Sequence, residues 1–204
     1  FKEFEDLIGN TPEFVNMKNA LEKMQENITL REKTLEDLAN LDTLTMIFNR
    51  RYLFKTLDEE FEKANILGIG FSIAILDLDN FKLINDTFGH QMGDEVLKLT
   101  VLEMKKSLRK KDILGRYGGE EFLIIFPDTE IHETKFLCEK IRESIENIKW
   151  SPDSLKTTIS IGISYYKNQS LEKIIQEADY FLYEAKHKGK NRIEVAEEFE
   201  KNSL

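Results

Sequence analysis

Between residues 14 and 38 large apolar side chains recur at alternating intervals of three and four: Phe14, Met17, Leu21, Met24, Ile28, Leu35 and Leu38, with Arg31 the one polar residue in the stripe. That is a heptad seam, and as a helix it would reach roughly 36 Å. The flanking positions (Lys18, Glu22, Lys23, Glu26, Glu32, Lys33, Glu36) are almost wholly charged, which leaves a stripe too narrow for the usual face of a helix buried on a domain. Two arrangements are open: a parallel dimeric stalk, which the narrow seam favours, and an amphipathic helix lying on its own domain.

Beyond this segment the period changes repeatedly. Asp42 or Thr45 is placed to cap a helix carrying Tyr52, Leu53, Leu57 and Phe61. Residues 71–77 form an apolar run that ends in an acid, as a buried strand would. Residues 81–88 predict a short helix, and Val96, Leu97, Thr100, Val101, Met104 and Leu108 mark the inner face of a longer one. Residues 113–117 and 121–126 read as a hairpin, and residues 130–148 as a helix with Phe136, Leu137, Ile141 and Ile145 turned inward. Residues 157–165 alternate like a strand. A last helix over 170–188 stops at Gly189, and residues 193–195 add an edge strand. Strands that alternate with helices yet include a hairpin predict an α+β fold, one mostly antiparallel sheet with helices packed over it, preceded by the long N-terminal helix.

Composition bounds this picture. The 204 residues are 41% hydrophobic and 33% charged, enough for one ordinary core with an extended piece left over. We therefore divide the chain into a helical stalk or linker at 1–40 and a domain at 41–204. The chain opens on Phe1 rather than Met, as a piece of a longer protein would. A net charge of -9 argues against a nucleic-acid polymer or an anionic membrane as partner. The longest apolar region, 66–76, is broken by Gly68, Gly70 and Ser72 and falls short of the ~18 residues that span a bilayer, so no membrane segment is expected in this fragment. Cys138, the single cysteine, sits in an amphipathic stretch as a buried helix residue would. It cannot form an internal disulfide, which fits a reducing, cytoplasmic setting. His90, His132 and His187 are scattered, so zinc-ligand spacing is absent and any metal must be a hard one held by oxygen.

The most chemical segment is Arg116-Tyr117-Gly118-Gly119-Glu120-Glu121-Phe122, a glycine pair followed by two acids at the turn of the hairpin. If the strand ending in Asp77 lies beside it, Asp77 and Glu120 meet at one edge of the sheet. Two such charges about 4 Å apart would cost on the order of 4 kcal/mol at an effective dielectric near 20, a penalty that a divalent cation turns into a site. The alternative is two solvated acids at loop ends. Asn80-Phe81-Lys82 opens a helix, where free N–H groups suit phosphate oxygens and Lys82 adds a mobile charge. Asn85-Asp86, Gly89-His90 and Gly93-Asp94 offer amide and carboxylate groups for a base edge, or simply caps and turns. Lys186 and Lys190, four apart near the end of the last helix, could hold phosphates or serve only the helix dipole.

Taken together, the strings DTLTMIFNRR, ILDLDNFKLINDTFGHQMGDEVL, RKKDILGRYGGEEF, TTISIGIS and EADYFLYEAKHKGKNR, spread from Asp42 to Val195, resemble the GGDEF family of diguanylate cyclases in its Gly-Gly-Glu-Glu-Phe version. The resemblance implies a palm-like fold related to nucleotide cyclases and polymerases. It also implies a reaction in which two facing domains, each holding one GTP and two Mg²⁺ ions (Mn²⁺ serving as a substitute), join their substrates into cyclic di-GMP and two pyrophosphates. By matching position, Asp77, Glu120 and the Leu78 carbonyl would be the metal ligands. Glu120 with Glu121 would help deprotonate the attacking hydroxyl, and Lys82 would stabilise the transition state. Asn80 and Phe81 would receive phosphates on the backbone, Asn85 and Asp94 would read guanine, His90 would line the pocket, and Lys186 and Lys190 would grip the phosphates. Arg109 and Asp112 match the family's RxxD inhibitory site, so product feedback by cyclic di-GMP is expected. One departure stands out: Met46 occupies the place of a usual glycine in Leu44-Thr45-Met46-Ile47, which puts signal transmission through this link in doubt more than catalysis. Besides an active homodimeric cyclase, two readings stay open, a catalytically quiet cyclic di-GMP receptor and a module that serves mainly to dimerise.

Overall fold

The computed structural model describes residues 11–195; the side chains of residues 32–38, and with them the seam positions Leu35 and Leu38 and the flanking charges Glu32, Lys33 and Glu36, lie outside that description. The chain divides into two units, Phe1–Asn40 and Leu41–Leu204. In the first, helix α1 (Pro12–Ala39) runs the length of the apolar seam. Thr11 caps it by accepting from the Phe14 N–H at 3.3 Å. Phe14, Met17, Leu21, Met24 and Ile28 are all exposed along it.

In the second unit, α2 (Arg50–Leu67), β1 (Phe71–Leu78), α3 (Phe81–Phe88), α4 (His90–Ser107), β2 (Ile113–Arg116), β3 (Glu121–Pro127), α5 (Ile131–Glu146), β4 (Ile159–Tyr165), α6 (Leu171–His187) and β5 (Ile193–Val195) follow in order. The strands form one sheet in the order β2-β3-β1-β4-β5, antiparallel except for the parallel β4–β5 edge, so the fold is the mixed α+β arrangement expected. The central β1 is buried at every position, as an apolar run without alternation requires. Ala74, Leu76 and Leu78 face a core completed by Val96, Leu97 and Met104 of α4 and by Leu137, Cys138, Ile141 and Ile145 of α5. Ile73 and Ile75 face the other way, into Leu53 and Leu57 of α2 and Ile174, Ala178 and Leu182 of α6. Asp77 continues that second set, and so emerges on the α6 side of the sheet.

Three local expectations change. The cap of α2 is Asn49, whose side chain accepts from the Tyr52 N–H at 3.1 Å; Asp42 and Thr45 instead bond each other, Thr45 donating to Asp42 from both N–H (2.9 Å) and hydroxyl (2.6 Å). Phe136 is 59% exposed, because the buried positions Thr134, Leu137, Cys138, Ile141 and Ile145 share a helical face centred roughly 155° away from it. Helix α6 ends at His187, so Lys190 lies in the following turn with φ 64° and shares no helix face with Lys186.

Two contacts fix what reaches the upper edge of the sheet. A Cβ on Gly162 of β4 would lie 2.1 Å from the Ala178 carbonyl and 2.2 Å from the Leu182 N–H, so α6 rests directly on the strand backbone. Gly115 of β2 makes comparable room for the Leu53 side chain of α2, 2.6 Å from where its Cβ would be.

Candidate active site

The site forms where β1 and the β2–β3 hairpin end together. In register, Asp77 stands opposite Glu121, and one residue further the Leu78 N–H donates to the Glu120 carbonyl at 3.3 Å. The tip itself is closed by the Tyr117 and Gly118 N–H groups, both donating to the Glu121 carbonyl at 2.9 and 3.2 Å. Neither Gly118 nor Gly119 is left-handed; at 118 a Cβ would come within 2.5 Å of the Glu121 carboxylate, so glycine lets that side chain lie over the turn. At Gly119 the corresponding space is open. Asp77, Glu120 and Glu121 are thus brought to one rim, and the charges of both glutamates raise the proton affinity of Asp77.

Asp77 is only 6% exposed, and burial is the main reason its carboxyl is pushed up to about 6. The opposing influence is Lys186, in the last turn of α6, whose Nζ sits 2.6 Å from Asp77 Oδ2. An ammonium therefore already stands where a cation is wanted. Among the described residues no group of three or more His, Cys, Asp or Glu side chains is arranged to hold a metal. Two carboxylates and the Leu78 carbonyl do fit Mg²⁺, which binds through one or two carboxylates with waters and substrate phosphates completing its shell.

The start of α3 is left open for phosphate. Asn80 has φ 60° and makes no side-chain cap; its Oδ1 instead accepts from Lys190 Nζ at 2.5 Å. Lys190 thus arrives at the same rim as Lys186 by a different route. The Phe81 side chain is buried in the core, so its N–H is the group it has to offer, the backbone role that the sequence reading gave it. Lys82 and His90 are exposed.

Asn85 and the Gly93-Asp94 pair come together across the α3–α4 corner. A Cβ on Gly93 would fall 2.0 Å from Asn85 Oδ1 and 3.2 Å from Phe81, so only glycine lets Asn85 sit against this turn of α4, beside Asp94.

Asp79, which the sequence reading did not single out, organises the rim from beneath. It is 2% exposed and accepts from the Thr158 hydroxyl (2.6 Å), the Ser160 hydroxyl (2.7 Å) and the Asn191 N–H (3.0 Å), while Thr157 donates to its carbonyl at 3.0 Å. These bonds tie the end of β1 to β4 and to the turn that carries Lys190. The hydroxyl pattern Thr157-Thr158-Ile159-Ser160 was the available signal.

On another part of the unit, Arg109 is held by Asp112 through Nε and Nη2 (2.8–3.2 Å), by Thr129 Oγ1 (2.7 Å) and by Glu133 (2.6 Å). The Asp112 side chain is fully covered, so in this conformation it orients Arg109 and presents no free edge to a base. A cavity of about 400 Å³ lined by Leu41, Met46, Ile47, Phe48, Arg109 and Asp112 adjoins the pair.

Comparison with known proteins places the chain in a family. Residues 39–192 match the family model described as "Diguanylate cyclase, GGDEF domain". The chain is 36% identical over 194 residues to the probable diguanylate cyclase DgcT of Escherichia coli K12, covering 92% of this chain and 42% of that protein. It is 38% identical over 163 residues to the response regulator PleD of Caulobacter vibrioides, covering 77% and 36%. It therefore spans about two fifths of the length of these relatives. Among solved structures it is similar to the coiled coil and GGDEF domain of DgcB from Caulobacter crescentus in complex with c-di-GMP (TM-score 0.80, 28% identity, 90% of this chain and 97% of that one). It is also similar to the active GGEEF domain of a Vibrio cholerae diguanylate cyclase (TM-score 0.69, 33% identity, 72% and 96%). With the family's motif seated on the rim that carries Asp77 and Lys186, the chain belongs to the GGDEF family of diguanylate cyclase domains.

Proposed function

We propose that this chain is the catalytic portion of a cytoplasmic diguanylate cyclase that condenses two GTP molecules into cyclic di-GMP and two pyrophosphates across a homodimer. The observation that carries the reading is the convergence of Asp77 and Glu120, joined through the Leu78–Glu120 backbone bond, beneath two lysines that arrive from the end of α6 and the turn after it. Cyclases of this family are in general metal-dependent. Asp77, Glu120 and the Leu78 carbonyl would hold two Mg²⁺ ions per half-site, with Mn²⁺ able to substitute; the metal supplies Lewis-acid stabilisation of phosphate charge and lowers the pKa of the attacking hydroxyl.

The protein's own groups do the rest. Glu120, with Glu121, accepts the proton of the attacking 3′-hydroxyl. The open N-terminus of α3 receives phosphate oxygens on the N–H groups of Phe81 and Lys82, and the Lys82 ammonium follows the charge that develops there. Lys186 and Lys190 hold the far phosphates. Asn85 and Asp94 read the guanine edge, a carboxylate being suited to accept from N1–H and N2–H₂, and His90 lines the pocket. Each chain supplies one nucleotide site, so turnover requires two chains. The exposed seam of α1 is a surface fit for a parallel partner helix, consistent with residues 1–40 acting as a coiled-coil stalk and 41–204 as the cyclase domain. Arg109 is the cation available to product at the RxxD site, where cyclic di-GMP feeds back on its own synthesis.

The test is incubation with GTP and Mg²⁺ while following pyrophosphate and cyclic di-GMP. The account expects both in a one-to-two ratio of cyclic product to pyrophosphate, falling activity per chain on dilution, and loss of both products in Glu120→Gln. Cyclic di-GMP binding without pyrophosphate release would instead establish the quiet receptor.

A further inference from the structure

The ion pair between Lys186 and Asp77 has a second consequence. Lys186 is expected to grip phosphates, yet its Nζ is 2.6 Å from an oxygen of the carboxylate that a divalent cation needs. An ammonium held at that oxygen competes with the cation for it. We propose that Lys186 is an internal counter-ion that holds the cation's place on Asp77 and passes to the substrate's phosphates when the cation arrives, so that metal and triphosphate bind cooperatively. This rests on the cyclase reading of the rim.

Several features favour exchange over a fixed structural bridge. The Asp77 side chain is 9% exposed and that of Lys186 36%, so the acid is anchored while the ammonium has a way out to water. The helix that carries Lys186 is pinned at Ala178 and Leu182 against Gly162, one turn before the lysine, so its four-carbon stem can swing without any shift of the backbone. The rim holds three carboxylates, Asp77, Glu120 and Glu121, against the ammoniums of Lys186 and Lys190, which still leaves net negative charge for a divalent ion to satisfy better than a lysine does. Lys190, tied to Asn80 at the open end of α3, marks where an incoming triphosphate would give the released ammonium an anionic partner. In charge terms, a divalent ion replaces a monovalent one on the acids, and the displaced positive charge is taken up by the incoming triphosphate. Neither ligand then binds well alone, which protects the site from idle metal loading.

The test is titration of the full chain with Mn²⁺, without nucleotide, reading free Mn²⁺ by electron paramagnetic resonance, in the wild type and in Lys186→Met, with Lys186→Gln as a polar second variant. Removing the competitor should tighten Mn²⁺ binding roughly tenfold. The same variants should bind a non-hydrolysable GTP analogue more weakly, and that analogue should enhance Mn²⁺ affinity less than in the wild type. These opposite signs would not arise from a merely structural lysine, whose removal loosens both. Mn²⁺ binding that is abolished by Asp77→Asn but unchanged or weakened in the lysine variants would overturn the exchange and leave the cyclase reading standing. Binding indifferent to Asp77→Asn would overturn both.

Discussion

Arg116 spans the gap between Asp42 and the hairpin tip: its Nη1 lies 3.1 Å from Asp42 Oδ1, while Nε and Nη2 donate to the Gly119 carbonyl at 3.0 and 2.7 Å. Asp42 is itself fixed by Thr45, and the Arg116 N–H donates to the Phe48 carbonyl at 2.8 Å, so the first turn of the domain and the residue before Glu120 share one guanidinium. Both side chains are about four-fifths covered, where hydrogen bonds to a charged group are worth about 1.5–3 kcal/mol each at most. Arg116→Met should therefore lower stability by about 1–3 kcal/mol and, at a temperature where the variant is fully folded, cut turnover by about tenfold or more because the tip loses its brace. Asp42→Asn should cost less, since the Gly119 arm remains. Equal turnover in wild type and Arg116→Met would show that the tip needs no such support.

The narrow seat of Asn85 gives a sharper result. Gly93→Ala would drive a methyl group to 2.0 Å from Asn85 Oδ1 and force that amide out of its seat against α4. Affinity for a GTP analogue should fall by about tenfold or more, the scale of losing one or two base-reading hydrogen bonds, while far-ultraviolet circular dichroism stays that of the wild type. Retained affinity would remove Asn85 from the base-reading pair.

Met46 sits at φ 53° with its side chain 54% exposed, a left-handed residue that gains little packing in return. For an L-residue this conformation costs roughly 1–2 kcal/mol, against which glycine's extra unfolded-state entropy is set. Met46→Gly should raise unfolding free energy in urea by about 0.5–1 kcal/mol. Its effect on turnover should be small, because Met46 lines the cavity beside Arg109 and Asp112 rather than the rim that carries Asp77 and Glu120.

Burial pushes the Asp77 carboxyl from the ordinary 3.8 up to about 6, more than Lys186 brings it back. The native state then holds this proton more tightly than the unfolded chain does, so the group's contribution to stability is largest below about pH 4, declines as pH rises toward 6, and is flat above. Asp77→Asn lacks that slope. Urea unfolding at pH 4, 5, 6 and 7 without divalent ions should show the variant gaining on the wild type between pH 4 and 6 and no further change beyond. A difference constant over the range would mean the carboxyl titrates normally.

Much of this was legible in the sequence where one physical signal dominated. The short helix Phe81–Phe88 and the hairpin flanking Gly118-Gly119 were read directly, because apolar period and turn residues agreed there. What was missed turned on partners distant in sequence. Phe136 was placed on the inner face with Leu137, Ile141 and Ile145, although it lies roughly 155° from the centre of the face that is buried. Asp79 was not singled out, because its role depends on hydroxyls some 80 positions later. The left-handed turn at Met46 explains why glycine is usual at that position in the family, a reason that spacing could not supply.

The most direct measurement is a crystal structure grown with Mn²⁺ and a non-hydrolysable GTP analogue, with the metal located by anomalous scattering. The account predicts manganese bridging Asp77, Glu120 and the triphosphate, with Lys186 moved off Asp77 onto phosphate. Manganese elsewhere, or a nucleotide bound while Asp77 and Glu120 stay free of metal, would contradict it.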